Sequence, residues 1–434
     1  MNIEKFKLTA QELKWNENLL LFYFLYTTLQ GALRKWVFNG VSSVSDILLI
    51  VQLIMPFIVV FAMKREKTIF SCKPLVPYAL LLIAMALNPM NETIFHGIFG
   101  FIIHFGFWFI MLMYLHEREA FPIEKLKTVF LVFIVIESLL SFTQFQLPYS
   151  HFLNRYENSG SQDDIASFAG GGVRVVGTFS YISGFGSFLF FAGLFVWALM
   201  VEKRMRVLFI LILTGLGLVA SFMNGSRAVL VPYVMCAVFG FLSYGSFSQK
   251  IKSIALVGAL AVISIIFNFG QKLTSIGKSF DSISERIISG QQSGEANNRT
   301  AKIFEETFNF SGNYPILGIG LGATYQGATN KWGKAPELIH YGYVEEEPGR
   351  ILMEGGYLLL IVRTFLFVMI AIKMKIPLIF SAPILFYVFF FTIFMFNAYQ
   401  IAYTFLGLAF LDKVYFSNND LQKMTYATFF NRNS

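Results

Sequence analysis

The sequence predicts an all-α membrane protein, a bundle of about twelve transmembrane helices forming one integral domain over residues 1–434. Composition is the first observation. Of 434 residues, 56% are hydrophobic, 14% are charged and 51 are Phe, more apolar surface than a water-soluble domain of this length needs. The second is the recurrence of apolar stretches of roughly 17–22 residues, the length a helix needs to cross a hydrocarbon core about 30 Å thick. The third is charge placement: Lys and Arg gather in every second connection, as the positive-inside rule requires.

Residues 1–14 are polar, mixed in charge and not followed by a small-residue cleavage motif, so the first span, 17–33, is expected to act as its own insertion signal. Further spans are expected at 44–63, 75–88, 94–115, 128–146, 179–200, 207–223, 228–247, 253–270, 351–372, 376–396 and 399–411. One set of connections then holds Lys64, Arg65, Lys67 and Lys73, then Arg118, Lys125 and Lys127, then Lys203, Arg204 and Arg206, then Lys250 and Lys252, and finally Lys373 and Lys375. Both termini fall in that set, which is read as cytoplasmic. The other side carries short connections and two long ones, 147–178 and 271–350, the second between the ninth and tenth spans. Loops longer than about 12–15 residues are uncommon unless they bind, cover or tether something, so 271–350 is read as half of a functional site.

Several classes are set aside on the same residues. The net charge of +8 sits mainly in short loops, where it orients the chain in the bilayer and implies no nucleic-acid partner. No Walker-type glycine loop is present, which disfavours an ATP-driven pump. Cys72 and Cys236 fall at different membrane levels, so a disulfide is not expected, and no Cys/His cluster has metal-ligand spacing. Asp163-Asp164 reads as a solvated loop pair rather than a metal site, and no cofactor is expected.

The informative charges are cations on the extracytoplasmic side, because they run against the positive-inside tendency. Arg34-Lys35 ends the first span, Arg174 follows Gly170-Gly171-Gly172, Arg227 follows Asn224-Gly225-Ser226, and Arg299 and Arg350 lie in the long loop. A lone arginine at a helix end can simply snorkel. Several on one face suit a phosphate or pyrophosphate ligand, which guanidinium groups grip with a forked pair of donors. Two glycine clusters, 170–172 and 318–322, either cradle an anion with backbone amides or make tight turns. Glu345-Glu346-Glu347 precedes the tenth span, and Glu354 falls about one turn inside it, where a partner such as Arg350 at i−4 is expected. A carboxylate of this group either pairs with arginine or acts as a base.

At these residues the chain resembles the O-antigen polymerase and O-antigen ligase superfamily of bacterial envelope glycan assembly. Three patches carry the likeness: 221–230 with Ser226-Arg227 opening a span, 298–322 from Asn298-Arg299 to Pro315-Ile316-Leu317-Gly318-Ile319-Gly320, and 345–356 ending in Glu354-Gly355-Gly356. Ligases of the family place a His-Asn pair about nine residues before that glutamate, where this chain has Glu345-Glu346, with His340 five residues earlier. The resemblance implies a metal-independent, inverting membrane glycosyltransferase of the GT-C type in the bacterial inner membrane. Its donor would be an undecaprenyl-pyrophosphate-linked oligosaccharide on the extracytoplasmic face, its acceptor a glycan, and its partners a chain-length regulator or other envelope glycan assembly proteins. Arg227 and Arg299 would meet the pyrophosphate, with Arg174 and Arg350 behind them. Glu347, Glu345 or His340 would stand near the acceptor, and Arg34, Lys35 and Glu354 would support the site.

Two other readings remain open on the sequence. A lipid-glycan transporter or flippase should carry ionisable or helix-breaking residues at mid-membrane in several spans, where Glu137 and Pro232 are nearly the only candidates read from the pattern. A non-catalytic scaffold of an envelope glycan complex would share the topology and lack the chemistry.

Overall fold

The computed structural model describes residues 8–39, 41–157, 173–203, 205–243, 316–334 and 347–431. Among these the secondary structure is helical, without a strand. The α-helices are α1 (Ala10–Ala32), α2 (Ser42–Ala62), α3 (Leu75–Ala86), α4 (Ile94–His116), α5 (Lys127–Gln146), α6 (Ile182–Glu202), α7 (Val207–Asn224), α8 (Arg227–Ser243), α9 (Gln326–Trp332), α10 (Glu347–Lys373), α11 (Leu378–Phe391) and α12 (Ala398–Asn431). Among the described residues six segments are long and apolar enough to cross a membrane: α2, α4, the run Arg118–Gln146 containing α5, α6, α7 and α10. With α3, α11 and most of α8 as shorter apolar helices, this is a multi-pass helical membrane protein.

Each expected span other than 253–270 overlaps a helix, 228–247 in its described part to Ser243, and 253–270 lies outside the described residues. The boundaries depart in three instructive places. Thr9 and Glu12 form a capping box: the Thr9 amide donates to the Glu12 carboxylate at 2.8 Å and the Glu12 amide to the Thr9 hydroxyl at 3.2 Å, so α1 begins ahead of its apolar stretch. The Thr9 amide, and then its hydroxyl, hold the exposed Glu12 carboxyl below the usual carboxylate range. The cap's contribution is therefore present at neutral pH and is lost as pH falls through that lowered value. The expected span 376–396 stops at Phe391, and α12 runs on past 411 to Asn431.

The helices gather into two compact units. The first takes the described residues of Met1–Thr27, Asp46–Pro122 and Gly290–Phe405. At its basic-loop end the Asn16 side chain donates to the carbonyls of Lys64 and Ala120, each at 2.8 Å, while Glu117 accepts from the Glu66 and Lys67 amides at 2.8 and 3.1 Å. Those bonds satisfy turn backbone that the lipid-facing helices cannot. At the other end the short α9 is clamped on α4 by rings, Trp332 lying 5.3 Å from Phe95 and 5.0 Å from Phe99.

The second unit takes the described residues of Thr28–Ser45, Ile123–Ser289 and Leu406–Ser434. Its centre is α6, whose apolar window is wholly buried; a helix that is hydrophobic all round belongs inside a bundle. Small residues let α8 approach it closely: a Cβ on Gly193 would stand 3.1 Å from that of Cys236, and one on Gly240 2.9 Å from the Cα of Trp197. Phe130 of α5 closes the packing edge-on to Phe191, 5.0 Å between centroids.

Candidate functional site

In the first unit two broken helices create the site. α10 is interrupted at Gly356, which adopts φ 63°, and the interruption frees the carbonyls of Met353 and Glu354. The amides of Ile319 and Gly320 donate to them at 2.8 and 3.0 Å, so the glycine-rich segment 318–322 is laid directly on the first turns of α10. That approach needs bare backbone. A Cβ on Gly356 would come 2.3 Å from the Ile316 carbonyl oxygen, and one on Gly322, itself at φ 81°, 2.1 Å from that of His96. Gly356→Ala or Gly322→Ala should accordingly lower the melting temperature in detergent, backbone strain alone costing about 1–3 kcal/mol. Unchanged melting in both would contradict this packing.

The anion on the glycine-segment amides is the protein's own. Glu354, wholly buried, accepts from the Gly322 amide at 2.7 Å, the Thr324 amide at 2.8 Å and the Thr324 hydroxyl at 2.5 Å, and pairs with His104 Nε2 at 2.7 Å. The expected Arg350–Glu354 pairing gives way to this set, which engages both oxygens of the carboxylate. Arg350, also buried, places its guanidinium 5.0 Å from the centre of the Phe396 ring.

The second break, after α11, leaves residues 392–397 out of helix. Its freed amides on Phe394 and Met395 donate to Glu347 at 3.0 and 3.1 Å, and Arg363 Nη1 lies 3.7 Å from the same carboxylate. Arg363 also reaches His104 Nδ1 through Nη2. Glu347 and Glu354 thus face Arg350, Arg363 and a histidine inside one unit, a balance that lets charge persist away from water.

In the second unit Arg34, Lys35 and Arg174 are engaged by groups of the same unit. Leu33–Val37 forms a π-helical turn that buries Arg34 and Lys35. Arg34 pairs with Glu157 and donates to Ser45 at 3.0 Å and Ser180 at 3.2 Å, while Lys35 donates to the Gly177 carbonyl. Glu137 accepts from the Thr178 amide at 3.0 Å and hydroxyl at 2.6 Å. Gln144 takes the Gly177 amide at 2.8 Å and returns a bond to its carbonyl at 2.9 Å. Gly177, at φ 56°, permits this, since a Cβ would fall 2.3 Å from Glu137 Oε2. Arg174 is half-buried and donates from Nε to the Asn224 carbonyl at 3.3 Å, next to Asn224-Gly225-Ser226.

The expected site residues are therefore distributed as follows. Glu347, Arg350 and Glu354 come together in the first unit, and Arg34, Lys35 and Arg174 lie in the second. Arg227 opens α8, and its side chain lies outside the described part of the structure. Arg299, His340, Glu345, Asp163-Asp164 and Gly170-Gly171-Gly172 lie outside the described residues. Sequence reasoning missed two residues: His104 in α4 and Arg363 in α10, both fully buried, correct the expectation that Glu137 and Pro232 are nearly alone at mid-span. Their signal was in plain view, a histidine inside 94–115 and an arginine inside 351–372, each too costly in hydrocarbon to stand without a partner. Comparison with protein-family models, with curated proteins and with solved structures returns no match.

Proposed function

We propose that this protein is a metal-independent, inverting membrane glycosyltransferase of the GT-C type. It would span the bacterial inner membrane about twelve times with both termini cytoplasmic, and polymerise or transfer undecaprenyl-pyrophosphate-linked oligosaccharide units on the extracytoplasmic face. One observation carries the reading. The described parts of two of the three patches of family likeness, 316–322 of 298–322 and 347–356 of 345–356, are hydrogen-bonded to each other, the Ile319 amide to Met353 and the Gly320 and Gly322 amides to Glu354.

In the reaction the acceptor hydroxyl oxygen bonds to the anomeric carbon and the bond from that carbon to the pyrophosphate oxygen breaks. The hydroxyl proton passes to a base, and undecaprenyl pyrophosphate leaves with the bonding pair. Arg227 and Arg299 meet the charge that develops on the leaving group, supported by Arg174 and Arg350. Glu345, Glu347 or His340 receives the proton. Arg34, Lys35 and Glu354, whose polar groups are held inside their own units, serve as framework.

Transfer and lipid-donor binding, measured separately for Glu345→Gln, Glu347→Gln and His340→Ala, locate the base. The expected result is impaired transfer with donor binding retained in a glutamate variant, or in His340→Ala if the histidine takes that role. Glu347→Gln should also lower the melting temperature, because its carboxylate caps the Phe394 and Met395 amides. Parental transfer in all three would remove general-base catalysis from this segment.

Topology is tested with single cysteines, since native Cys72 and Cys236 are buried and slow to react. In intact cells an impermeant maleimide should label a cysteine at Asn330 and not one at Met205; the reverse would invert the map.

The buried ionisable residues His104, Arg363, Glu137 and Lys35 favour a second reading, a lipid-glycan transporter. In proteoliposomes the enzyme should consume the lipid-linked oligosaccharide in the leaflet that holds it. A transporter should move it across with its glycan unchanged.

A further inference from the structure

His104 lies within α4, fully buried, with both ring nitrogens engaged by residues of α10. A guanidinium only donates, so Nδ1, which contacts Arg363 Nη2, must accept. The ring proton then sits on Nε2 and is donated to Glu354 Oε2 at 2.7 Å. Protonating both nitrogens would turn N–H against N–H at Arg363, so the order of donors and acceptors from Arg363 through His104 to Glu354 has a single solution. The Phe396 ring stands edge-on to the imidazole at 5.4 Å and 89°. Beyond Glu354 the same run continues into the amides of Gly322 and Thr324. One chain of hydrogen bonds thus ties the interior of α10 to the segment 316–334, which lies in the sequence between Arg299 on one side and His340 and Glu345 on the other.

We propose that His104 is a positioning residue for glycan transfer. It fixes the Glu354 carboxylate, and through it the glycine segment beside α10, in the one arrangement that transfer requires. Its kinetic consequence rests on the glycosyltransferase reading; its structural consequence rests on the hydrogen-bond geometry alone.

The test uses the full-length protein with His104→Gln and His104→Leu. A glutamine amide offers an oxygen to Arg363 and an N–H to Glu354 in the same 1,3 relation as the imidazole nitrogens, whereas leucine offers neither. A reporter cysteine, Ala323→Cys, is placed where the native side chain is 2% exposed, between Gly322 and Thr324. Maleimide labelling of that cysteine should be slow in the parental and His104→Gln proteins and about tenfold faster or more in His104→Leu, as local opening predicts. The transfer kcat should fall about tenfold or more in His104→Leu with the donor KM little changed, and recover in His104→Gln, since losing a positioned geometry lowers turnover before binding. Unchanged labelling in folded His104→Leu, or unchanged kcat there despite faster labelling, would overturn the proposal. If His104→Leu does not fold, the same labelling comparison is made with His104→Phe, which keeps a ring in the buried site and removes both nitrogens, leaving Arg363 beside Glu347. Absence of transfer by the parental protein would sink the glycosyltransferase reading and leave the anchor to be decided by labelling.

Discussion

Replacing Glu354 with leucine is expected to destabilise the first unit by about 3–5 kcal/mol, the cost of removing one partner from a buried charged network. The substitution leaves the Gly322 and Thr324 amides, the Thr324 hydroxyl and His104 Nε2 without their shared acceptor, in a place water does not reach. Glu354→Gln should cost less, because one oxygen still accepts while the new NH2 group faces at least one donor. Thermal melting in detergent checks both. Leucine and parental proteins melting alike would mean that this carboxylate does not hold the glycine segment.

The largest functional effects are expected at Arg227 and Arg299. If each stabilises leaving-group charge as strongly as a typical oxyanion donor, Arg227→Ala and Arg299→Ala should each lower transfer by about 100-fold or more. Lysine at either position should restore part of the rate, since it keeps the charge and loses the fork. Equal polymer length and yield in both alanine variants, at equal protein level, would defeat the assignment. By contrast Arg34→Ala should act through stability, because its guanidinium is committed to Glu157, Ser45 and Ser180 within the second unit.

What the sequence made legible was whatever hydropathy and backbone cost decide locally. Span positions followed from apolar runs, and the tight-turn alternative for 318–322 from its glycines. What it left hidden depended on contacts far apart in the chain. Nothing in 376–396 announces that the helix stops at Phe391; the stop is supported by Glu347, which takes up two of the amides it frees. Nothing near Glu354 names His104 as its partner, because the bond spans 250 positions. Arg34 and Lys35 read as cations awaiting an anionic ligand, since Glu157 and the Gly177 carbonyl that engage them are distant in sequence. The rule that an ionisable residue within a span needs a partner singles out His104 and Arg363, without naming the partner.

The central claim is that the chain forms a glycosidic bond from a lipid pyrophosphate donor. It is tested most directly with purified full-length protein in detergent micelles, which have no two sides to move a lipid between. An undecaprenyl-pyrophosphate-linked oligosaccharide is supplied as donor and acceptor, and both glycan length and free undecaprenyl pyrophosphate are followed. Lengthened glycan and released carrier lipid should accumulate together, one carrier released for each glycosidic bond formed, and Arg227→Ala should produce neither at a comparable rate. Folded parental protein that leaves the oligosaccharide at its starting length, with no carrier released, would contradict it.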